Sequence, residues 1–444
     1  MTMFDYFFNV LSELDSFFWT YIGFSIIIIA GFYLTIISGG KQFRVLFNIK
    51  KTVSELLHES RDKTKAGLHP IKLFFASVGG MIGVGNIVGV GMAVMIGGLG
   101  SIFWMWVASF CGMLIKYSEI YLGVKHRVKN GKGSYNGGPM YYLQDAFKSK
   151  FWAYLSAVLL CIYGVEVFQF VVLVDRFEHT FHFNREIIIF SLLIITIYSA
   201  SGGMNRLANI CTAIMPVFLL TYLVGCLYII LSHAPELPTL FADIVKSAFT
   251  GQAATGGFAG SSMMLAAYIG SSKAVYAGDI GIGYDSVVQS ETRVASAVKQ
   301  ARLSIIALFM DTVICTLSTL TIAVTGAWHR MQHIEPSELM STIFAEHFPF
   351  SEYFLTIVLF FAGFTTVIAF FVVGTKAAEF LSPKYGKIIY LICGVSAFIT
   401  FSHFSEEKVM LIMSVTAVFL VMLNITAIIK MRKEIKFYDN DETC

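Results

Sequence analysis

Long runs of apolar residues separated by short polar loops predict a protein that crosses a membrane many times. A membrane-spanning helix needs about 20 mostly apolar residues. Eleven segments reach or approach that length, near 17–38, 71–97, 100–124, 152–175, 186–200, 208–232, 256–290, 301–327, 353–381, 386–402 and 407–430. The longest loops have about 30 residues, so the pattern leaves no room for a separate soluble domain.

The uneven distribution of basic residues between the loops predicts the orientation. Lys and Arg accumulate in the cytoplasmic loops of membrane proteins. Loops on the same side as the C-terminus hold 23 of them, against five in the loops of the other side. We therefore expect the N-terminus outside, the C-terminus in the cytoplasm and an odd number of spans. Residues 50–66 are expected to form a short amphipathic cytoplasmic helix, and residues 328–350 an external loop with a small helix.

Composition agrees with this reading and narrows the classes of function. Apolar residues make up 56% of the 444 residues and charged residues 14%, whereas soluble domains carry about a quarter charged residues. The formal net charge of +3 gives no indication of a nucleic-acid partner. The seven cysteines form no CxxC pair, so neither a metal site nor a disulfide framework is predicted. Acidic residues before the first apolar run argue against a cleaved signal peptide.

The second span is dense in glycine, which predicts a break in its helix. Residues 78–89 read VGGMIGVGNIVG, and each glycine weakens a helix by about 1 kcal/mol relative to alanine. Inside a membrane, broken backbone is tolerated where it lines a cavity or is buried in protein. The half-helix ends of transporters bind carboxylates and cations. Gly85 and Gly89 also form a GxxxG pair, so close helix packing is an equal alternative for this stretch alone.

A second glycine-rich break, from Gly278 to Gly283, lies five spans later. Interrupted helices at corresponding positions of two halves are typical of inverted-repeat transporters with a binding site near the middle of the membrane. We therefore predict an all-α transmembrane domain over residues 1–444. An extra helix at 17–38 would precede a first repeat at about 71–232 and a second repeat at about 256–430.

The third helix of each repeat is expected to flank that site. In the fourth span, Glu166 and Gln169 are three residues apart and share a helix face, with Phe168 between them. In the ninth span, the hydroxyls of Thr365 and Thr366 are natural ligands for Na⁺. An equal alternative for these hydroxyls is a hydrogen bond to the preceding helical turn.

Three carboxylates lie within predicted spans, and such groups are functional candidates because burying them in a membrane is costly. Glu166 and Asp279 are candidates to bind a cation, to face a substrate ammonium or to carry a proton. Asp311 is more simply explained by pairing with a neighbouring helix. Lys116 and Glu119, near the cytoplasmic end of the third span, are expected to form an ordinary ion pair.

Several motifs give the chain a resemblance to the alanine or glycine:cation symporter family, also called sodium:alanine symporters. The most specific is GGLGSIFWMWV at 97–107, which ends at Cys111-Gly112. The others are GVGNIVGV at 83–90, NGGPMYY at 136–142, QAATGGFAG at 252–260, DT and CT at 311–312 and 315–316, and FTT at 364–366. They follow the family order from about residue 31 to 381.

This resemblance implies a fold similar to that of the leucine transporter and uptake of alanine or glycine, usually with Na⁺, through a bacterial or archaeal cytoplasmic membrane. It implies that Gly83 and Gly85 approach the substrate carboxylate and that Gln169 and Thr366 line the pocket. The predicted substrate-binding residues are Gly83, Gly85, Phe168, Gln169, Gly278, Asp279, Thr366 and Phe370. The predicted cation-binding residues are Ile82, Gly85, Thr365 and Thr366.

The chain departs from the family pattern within this pocket. Val84 replaces a usual threonine, Glu166 a usual asparagine and Phe370 a usual tryptophan, and residues 277–284 read AGDIGIGY where SNEAGLGS is usual. We therefore expect a cation-coupled symporter for a small neutral amino acid, with no cofactor beyond the coupling ion, with the substrate and the lipid bilayer as partners, and with no nucleic-acid partner. The alternatives are a proton-coupled permease that uses Glu166 or Asp279 and, less favoured, a channel or a membrane-embedded enzyme.

Overall fold

A computed structural model describes residues 3–59, 66–131, 133–250, 263–331, 334–349 and 351–438. The expected start of the seventh span, 256–262, and the motif at 252–260 lie outside this range. Within it the chain is almost entirely helical. The two described strands are β1 (Val128–Lys129) and β2 (Tyr135–Asn136), which pair antiparallel with Val128 opposite Asn136.

The helices follow the predicted order of spans and loops. Up to residue 232 they are α1 (Met3–Phe18), a π-helical turn (Trp19–Gly23), α2 (Phe24–Ile37), α3 (Lys41–Phe47), α4 (Ile49–Glu59), α5 (Pro70–Met81), a 3-10 turn (Val84–Asn86), α6 (Val88–Gly97), α7 (Gly100–Lys125), α8 (Pro139–Phe147), α9 (Lys150–Tyr163), α10 (Val167–Phe181), α11 (Arg185–Ser201) and α12 (Gly203–Ser232). They continue with a 3-10 turn (Ala234–Glu236), α13 (Leu237–Thr250), α14 (Met263–Gly278), α15 (Tyr284–Gln289), α16 (Ala297–Val324), α17 (Ala327–Arg330), α18 (Pro336–His347), α19 (Ser351–Leu381), α20 (Gly386–Phe401), α21 (Glu406–Lys430) and a 3-10 turn (Arg432–Glu434).

The number of helices is compatible with eleven spans. In the described part of the chain, seven helices are long and apolar enough to cross a membrane. The pair α5 and α6, bent by 58°, makes an eighth span. The other three predicted spans correspond to α11, to the broken pair α14 and α15, and to the short apolar helix α20.

The helix of the first span begins at Met3, and its candidate membrane-spanning stretch begins at Tyr6 and not near residue 17. Glu13 and Asp15 interrupt the apolar pattern, which is why the sequence predicts a later start. Asp15 is nevertheless buried, accepts a hydrogen bond of 3.4 Å from the Tyr268 hydroxyl and interacts electrostatically with Lys273.

The fourth span contains a break that the sequence analysis did not predict. Residues 152–175 were expected to form one helix, but α9 ends at Tyr163 and α10 begins at Val167. Glu166 has a φ of +54°, in the left-handed region that a non-glycine residue rarely adopts. At Gly164, an added Cβ would lie 2.8 Å from the Gly374 Cα, so this stretch also marks a close approach of α19. Three spans, the second, fourth and seventh, are therefore interrupted.

Loop residues gather at two opposite ends, which we name after their most distinctive elements. At the hairpin end, defined by β1 and β2, the Arg127 guanidinium donates to the carbonyls of Ser290, Thr292 and Val294 at 2.7–3.0 Å. At the α18 end, defined by Pro336–His347, His179 lies 3.2 Å from a carboxylate oxygen of Glu338. The residues of each end come from loops that the predicted topology assigns to one side of the membrane.

Candidate functional site

The break in the second span is held open by the Asn86 side chain. Ile82 and Gly83 have extended backbone, and the 3-10 turn follows. Asn86 Oδ1 accepts a hydrogen bond of 2.9 Å from the Gly83 N–H, and its Nδ2 donates to Asp311 Oδ1 at 2.5 Å. Asp311 thus pairs with a neighbouring span, as expected, and it anchors the broken backbone to α16.

Gly83 lies where three spans meet. A Cβ added to it would be 2.4 Å from Gln169 Oε1 and 2.4 Å from Thr366 Oγ1. The next backbone N–H, at Val84, donates to Gln169 Oε1 at 3.0 Å. Amides at the start of a helical segment bind oxygen anions readily. In this structure the side-chain oxygen of Gln169 accepts the hydrogen bond that the Val84 N–H would otherwise donate to a carboxylate.

The two threonines of the ninth span have different surroundings. Thr366 Oγ1 donates to the Gly79 carbonyl at 3.1 Å, which brings it to the backbone of α5. Thr365 Oγ1 donates to the carbonyls of Phe361 and Ala362 at 2.9 Å and lies 3.6 Å from Met215 Sδ. Thr366 Oγ1 also lies 3.1 Å from the Ala362 carbonyl of its own helix, so both hydroxyls bond within α19 and that of Thr366 additionally contacts the broken second span.

Glu166 lies at the break of the fourth span, next to a cluster of aromatic rings. One of its carboxylate oxygens accepts a short hydrogen bond from the Tyr276 hydroxyl. The Tyr276 ring lies 5.8 Å from Phe168 and 6.4 Å from Tyr163, and Phe370 lies 5.2 Å from Tyr163 between ring centroids. The other oxygen, Oε2, is buried without a hydrogen-bond partner of regular geometry among the described residues, and the Gln169 side chain interacts with the carboxylate.

The seventh-span break carries the predicted residues Gly278 and Asp279. The Gly278 carbonyl, at the C-terminal end of α14, accepts a hydrogen bond of 2.5 Å from Lys116 Nζ. Asp279 has a φ of +48° and interacts electrostatically with Lys116, Asp285 and Glu166. Gly85 belongs to the same region, because a Cβ there would lie 2.9 Å from Tyr276 Cε1.

The expected ion pair between Lys116 and Glu119 is wrong. Lys116 Nζ lies 2.8 Å from Asp285 Oδ2, and both side chains are fully buried. Asp285 also accepts a hydrogen bond of 2.5 Å from the Ser77 hydroxyl. Because α14 and α15 pack against α7, the lysine reaches across to the seventh-span break, not along its own helix to Glu119.

The structure brings the predicted residues into one buried region. All eleven of them have less than 5% of their surface exposed or are glycines classed as buried: Ile82, Gly83, Gly85, Glu166, Phe168, Gln169, Gly278, Asp279, Thr365, Thr366 and Phe370. The residues that sequence reasoning missed are Asn86, Tyr163, Tyr276 and Asp285. The aromatic ones carry no sequence signal, because a tyrosine in an apolar helix is usually a packing residue.

Comparisons with known proteins agree with this architecture. The sequence model of the sodium:alanine symporter family matches residues 4–441. The sodium/alanine symporter AgcS of Methanococcus maripaludis is 27% identical over 401 residues, covering 88% of this chain and 87% of that protein. The amino-acid carrier protein AlsT of Bacillus subtilis is 26% identical, covering 85% of this chain and 80% of its own length.

A solved structure carries the same fold. It is that of Mhp1, a nucleobase-cation-symport-1 family transporter, in a closed conformation with bromovinylhydantoin bound. The TM-score is 0.53 at 13% sequence identity, and the match covers 78% of this chain and 75% of that one. At this identity the match concerns the fold alone, and it confirms the predicted all-α polytopic fold.

Proposed function

The chain belongs to the sodium:alanine symporter family, and from this premise we propose that it carries a small neutral amino acid together with a cation by alternating access. Membership confirms the resemblance found in the sequence. It also makes the protein an integral membrane transporter and not an enzyme. The choice of substrate, the coupling ion and the residues that bind them are the content of the proposal.

The observation that carries the proposal is the meeting of Gly83, Gln169 and Thr366. The substrate carboxylate would bind the Val84 backbone N–H, between Gly83 and Gly85, after the Gln169 side chain rotates off it. An amide oxygen and a carboxylate oxygen accept the same hydrogen bond, so one can replace the other without new backbone geometry. Since a Cβ on Gly83 has no room, the carboxylate can approach this backbone only because residue 83 is glycine.

The substrate ammonium would face Glu166 and the seventh-span break. A buried carboxylate oxygen without a hydrogen-bond partner favours a cationic group beside it. The rings of Phe168, Tyr276 and Phe370 limit the space around it and add favourable contacts between a cation and an aromatic face. A small side chain on the substrate is therefore preferred.

The cation, which we take to be Na⁺, would bind between the second-span carbonyls and Thr366. The Gly79 carbonyl is already 3.1 Å from the Thr366 hydroxyl, and oxygen atoms of this kind suit a hard cation. Ile82 and Gly85 offer further carbonyls at the break. Thr365 would join them by rotating its hydroxyl away from its own helix.

A proton-coupled permease of the same fold is the alternative, with Glu166 or Asp279 as the proton carrier. Glu166 accepts from Tyr276, and its second oxygen is without a partner in the described structure. Asp279 lies in the field of several other carboxylates. Like charges in one buried region favour proton uptake by one of them.

Alternating access requires two ends that open in turn, and the hairpin end is closed by ionic contacts. Lys376 pairs with Glu291, which also accepts a hydrogen bond of 2.7 Å from the Ser134 hydroxyl. We propose that this pair opens towards the cytoplasm and that the α18 end faces the outside, with the N-terminus outside. The membrane would be the cytoplasmic membrane of a bacterium or archaeon.

The test is uptake of labelled alanine, glycine and serine into proteoliposomes under an imposed Na⁺ gradient or an imposed proton gradient. Accumulation driven by Na⁺ supports the proposal, and accumulation driven only by protons, lost in Glu166→Gln or Asp279→Asn, supports the alternative. Absence of uptake for all three amino acids would overturn the assigned substrate class.

The two threonines provide a matched pair of variants for the cation. Thr366→Val is expected to raise the Na⁺ concentration that gives half-maximal uptake by about tenfold or more, because the variant removes one polar contact to a charged group. Thr365→Val, which removes a hydroxyl bonded within its own helix, is expected to have a smaller effect. Equal effects would show that both hydroxyls bind the cation.

A further inference from the structure

A second buried polar cluster lies on α10 beyond the candidate site, towards the α18 end. Arg176 follows Gln169 by seven residues, so it lies on the same helix face about 10 Å further along the axis. Its side chain is 1% exposed. One guanidinium nitrogen lies 3.4 Å from the hydroxyls of Thr180 and Thr356. Nε and the other terminal nitrogen have no hydrogen-bond partner within the described ranges.

Such an arrangement is costly unless an anion binds to it. A guanidinium cannot lose its charge in a protein, so it cannot escape burial by deprotonation. Leaving a buried charge without a partner is strongly unfavourable. The two unbonded donors lie on different edges of the guanidinium, so each can donate one charge-assisted hydrogen bond to an anion.

Glu406, the first residue of α21, supplies the opposite charge nearby. It is 3% exposed, and its carboxylate forms a side-chain hydrogen bond with Ser337, but its Oε2 has no hydrogen-bond partner in the described part of the chain. Glu406 and Arg176 interact electrostatically, but no ion pair joins them. Two buried, opposite charges that do not satisfy each other fit a ligand that carries both charges.

The other acids around Arg176 already have partners. Glu338 and Glu352 lie 3.2 and 3.5 Å from the two ring nitrogens of His179. Asp175 pairs with Arg185 at 2.6 Å. Arg176 and Glu406 are therefore the pair left to receive a ligand.

A thin apolar layer separates this cluster from the candidate site. Leu173 lies on α10 between Gln169 and Arg176. At Gly363 of α19, an added Cβ would lie 2.8 Å from Val84 Cγ2 and 3.1 Å from Leu173 Cδ2. Because these atoms are in contact across the two helices and the second-span break, a molecule cannot pass without a movement of one of them.

We propose that Arg176 and Glu406 form an entry site that binds the carboxylate and the ammonium of the amino acid before it crosses the layer of Leu173 and Val84. This inference rests on the proposed function and adds to it a first stop at the α18 end. The ligand class is a zwitterionic α-amino acid.

The experiment compares Arg176→Gln and Glu406→Gln with the unsubstituted protein, using the amino acid that the latter accumulates best. For uptake from the α18 side we expect each variant to raise KM about tenfold or more, the effect of losing one charge-assisted hydrogen bond, with the maximal rate largely retained. Arg330→Gln, which removes an exposed arginine paired with Glu346, is the matched control and should leave KM unchanged. Arg176→Lys keeps the charge and should fall in between.

Thermal stability separates an entry site from a structural role. Removing a buried charge without a partner should leave the thermal unfolding temperature equal or higher. An Arg176→Gln protein with unchanged KM, or one that is less stable with only its maximal rate reduced, would overturn the inference. An effect of Arg176→Gln without any effect of Glu406→Gln would overturn the zwitterion in favour of a simple anion. Failure of the unsubstituted protein to accumulate any amino acid is a distinct result, since it overturns the proposed function and with it this inference.

Discussion

The buried pair of Lys116 and Asp285 allows a sharp prediction because the chain carries an exposed pair of almost the same length. Lys116 Nζ lies 2.8 Å from Asp285 Oδ2 with both side chains fully buried. Lys125 Nζ lies 2.7 Å from Glu434 Oε2 with side chains 39% and 42% exposed. If distance alone mattered, breaking either ion pair would lower the free energy of unfolding by the same amount. Because only the first pair is buried, we expect the two losses to differ greatly.

The magnitude follows from the geometry. At an effective dielectric constant of about 20, unit charges 2.8 Å apart attract by about 6 kcal/mol. Desolvation offsets much of this, but loss of one partner leaves the other charge buried, at a cost of about 3–5 kcal/mol. In Lys116→Met, Asp285 loses its ion pair and keeps its hydrogen bond from Ser77, and Asp279 loses its electrostatic attraction to Lys116. Lys125→Met should cost at most about 1 kcal/mol.

The assay is unfolding of the purified protein in mixed micelles, followed by the fluorescence of its five tryptophans. Lys116→Met and Asp285→Asn should each lower the free energy of unfolding strongly. The loss of unfolding free energy in the double variant should be smaller than the sum of the two single losses by at least about 2 kcal/mol, since the two partners interact directly. Equal losses for Lys116→Met and Lys125→Met, or additive losses in the double variant, would refute the reasoning.

Three further predictions concern the break, the gate and an exposed carboxylate. Gly83→Ala should cost about 1–3 kcal/mol of steric strain and abolish most uptake, whereas Gly89→Ala, whose Cβ would meet no atom within 4 Å, should retain it. Lys376→Gln removes the ion pair between Lys376 and Glu291 at the hairpin end. A cysteine introduced at the hairpin end should then react faster with an impermeant maleimide. An unchanged reaction rate would contradict the proposal that this ion pair closes the hairpin end. A hydrogen bond from Lys125 is the main cause that lowers the pKa of Glu434. The small contribution of the ionised Glu434 to stability should therefore be complete above its ordinary pKa of about 4.5 and should fade as the pH falls further. In Glu434→Gln, the thermal unfolding temperature should depend less on pH in that range.

The sequence predicts the fold well where the physical cause is local. Glycine density weakens a helix wherever it occurs, so the breaks near Gly83 and Gly281 are visible without a structure. Only Gly164 precedes the break in the fourth span, and Glu166 adopts its left-handed conformation because the packed helices around it impose it. The sequence contains no local signal for that constraint.

The candidate site is predicted less completely, because its contacts depend on which spans become neighbours. Gln169 and Thr366 were identified and do meet at Gly83. The partner of Lys116 was assigned to the nearest acid along its own helix, whereas the fold supplies Asp285 from a distant span. Tyr276 was missed for the same reason, since its importance comes from the carboxylate that it faces.

The position of Lys116 also has a consequence for how the protein is made. The third span, α7, is the least apolar of the seven long helices, and yet it is the most deeply buried. A charged residue in an isolated helix costs about 2.5–3.5 kcal/mol at the centre of a bilayer and less towards its surface, and α7 carries both Lys116 and Glu119 in its C-terminal half. Its main neighbours, α14 and α16, are synthesised much later. The ribosome therefore delivers α7 before the helices that shield its charged residues from lipid, and its insertion becomes more favourable once α14 and α16 have been made.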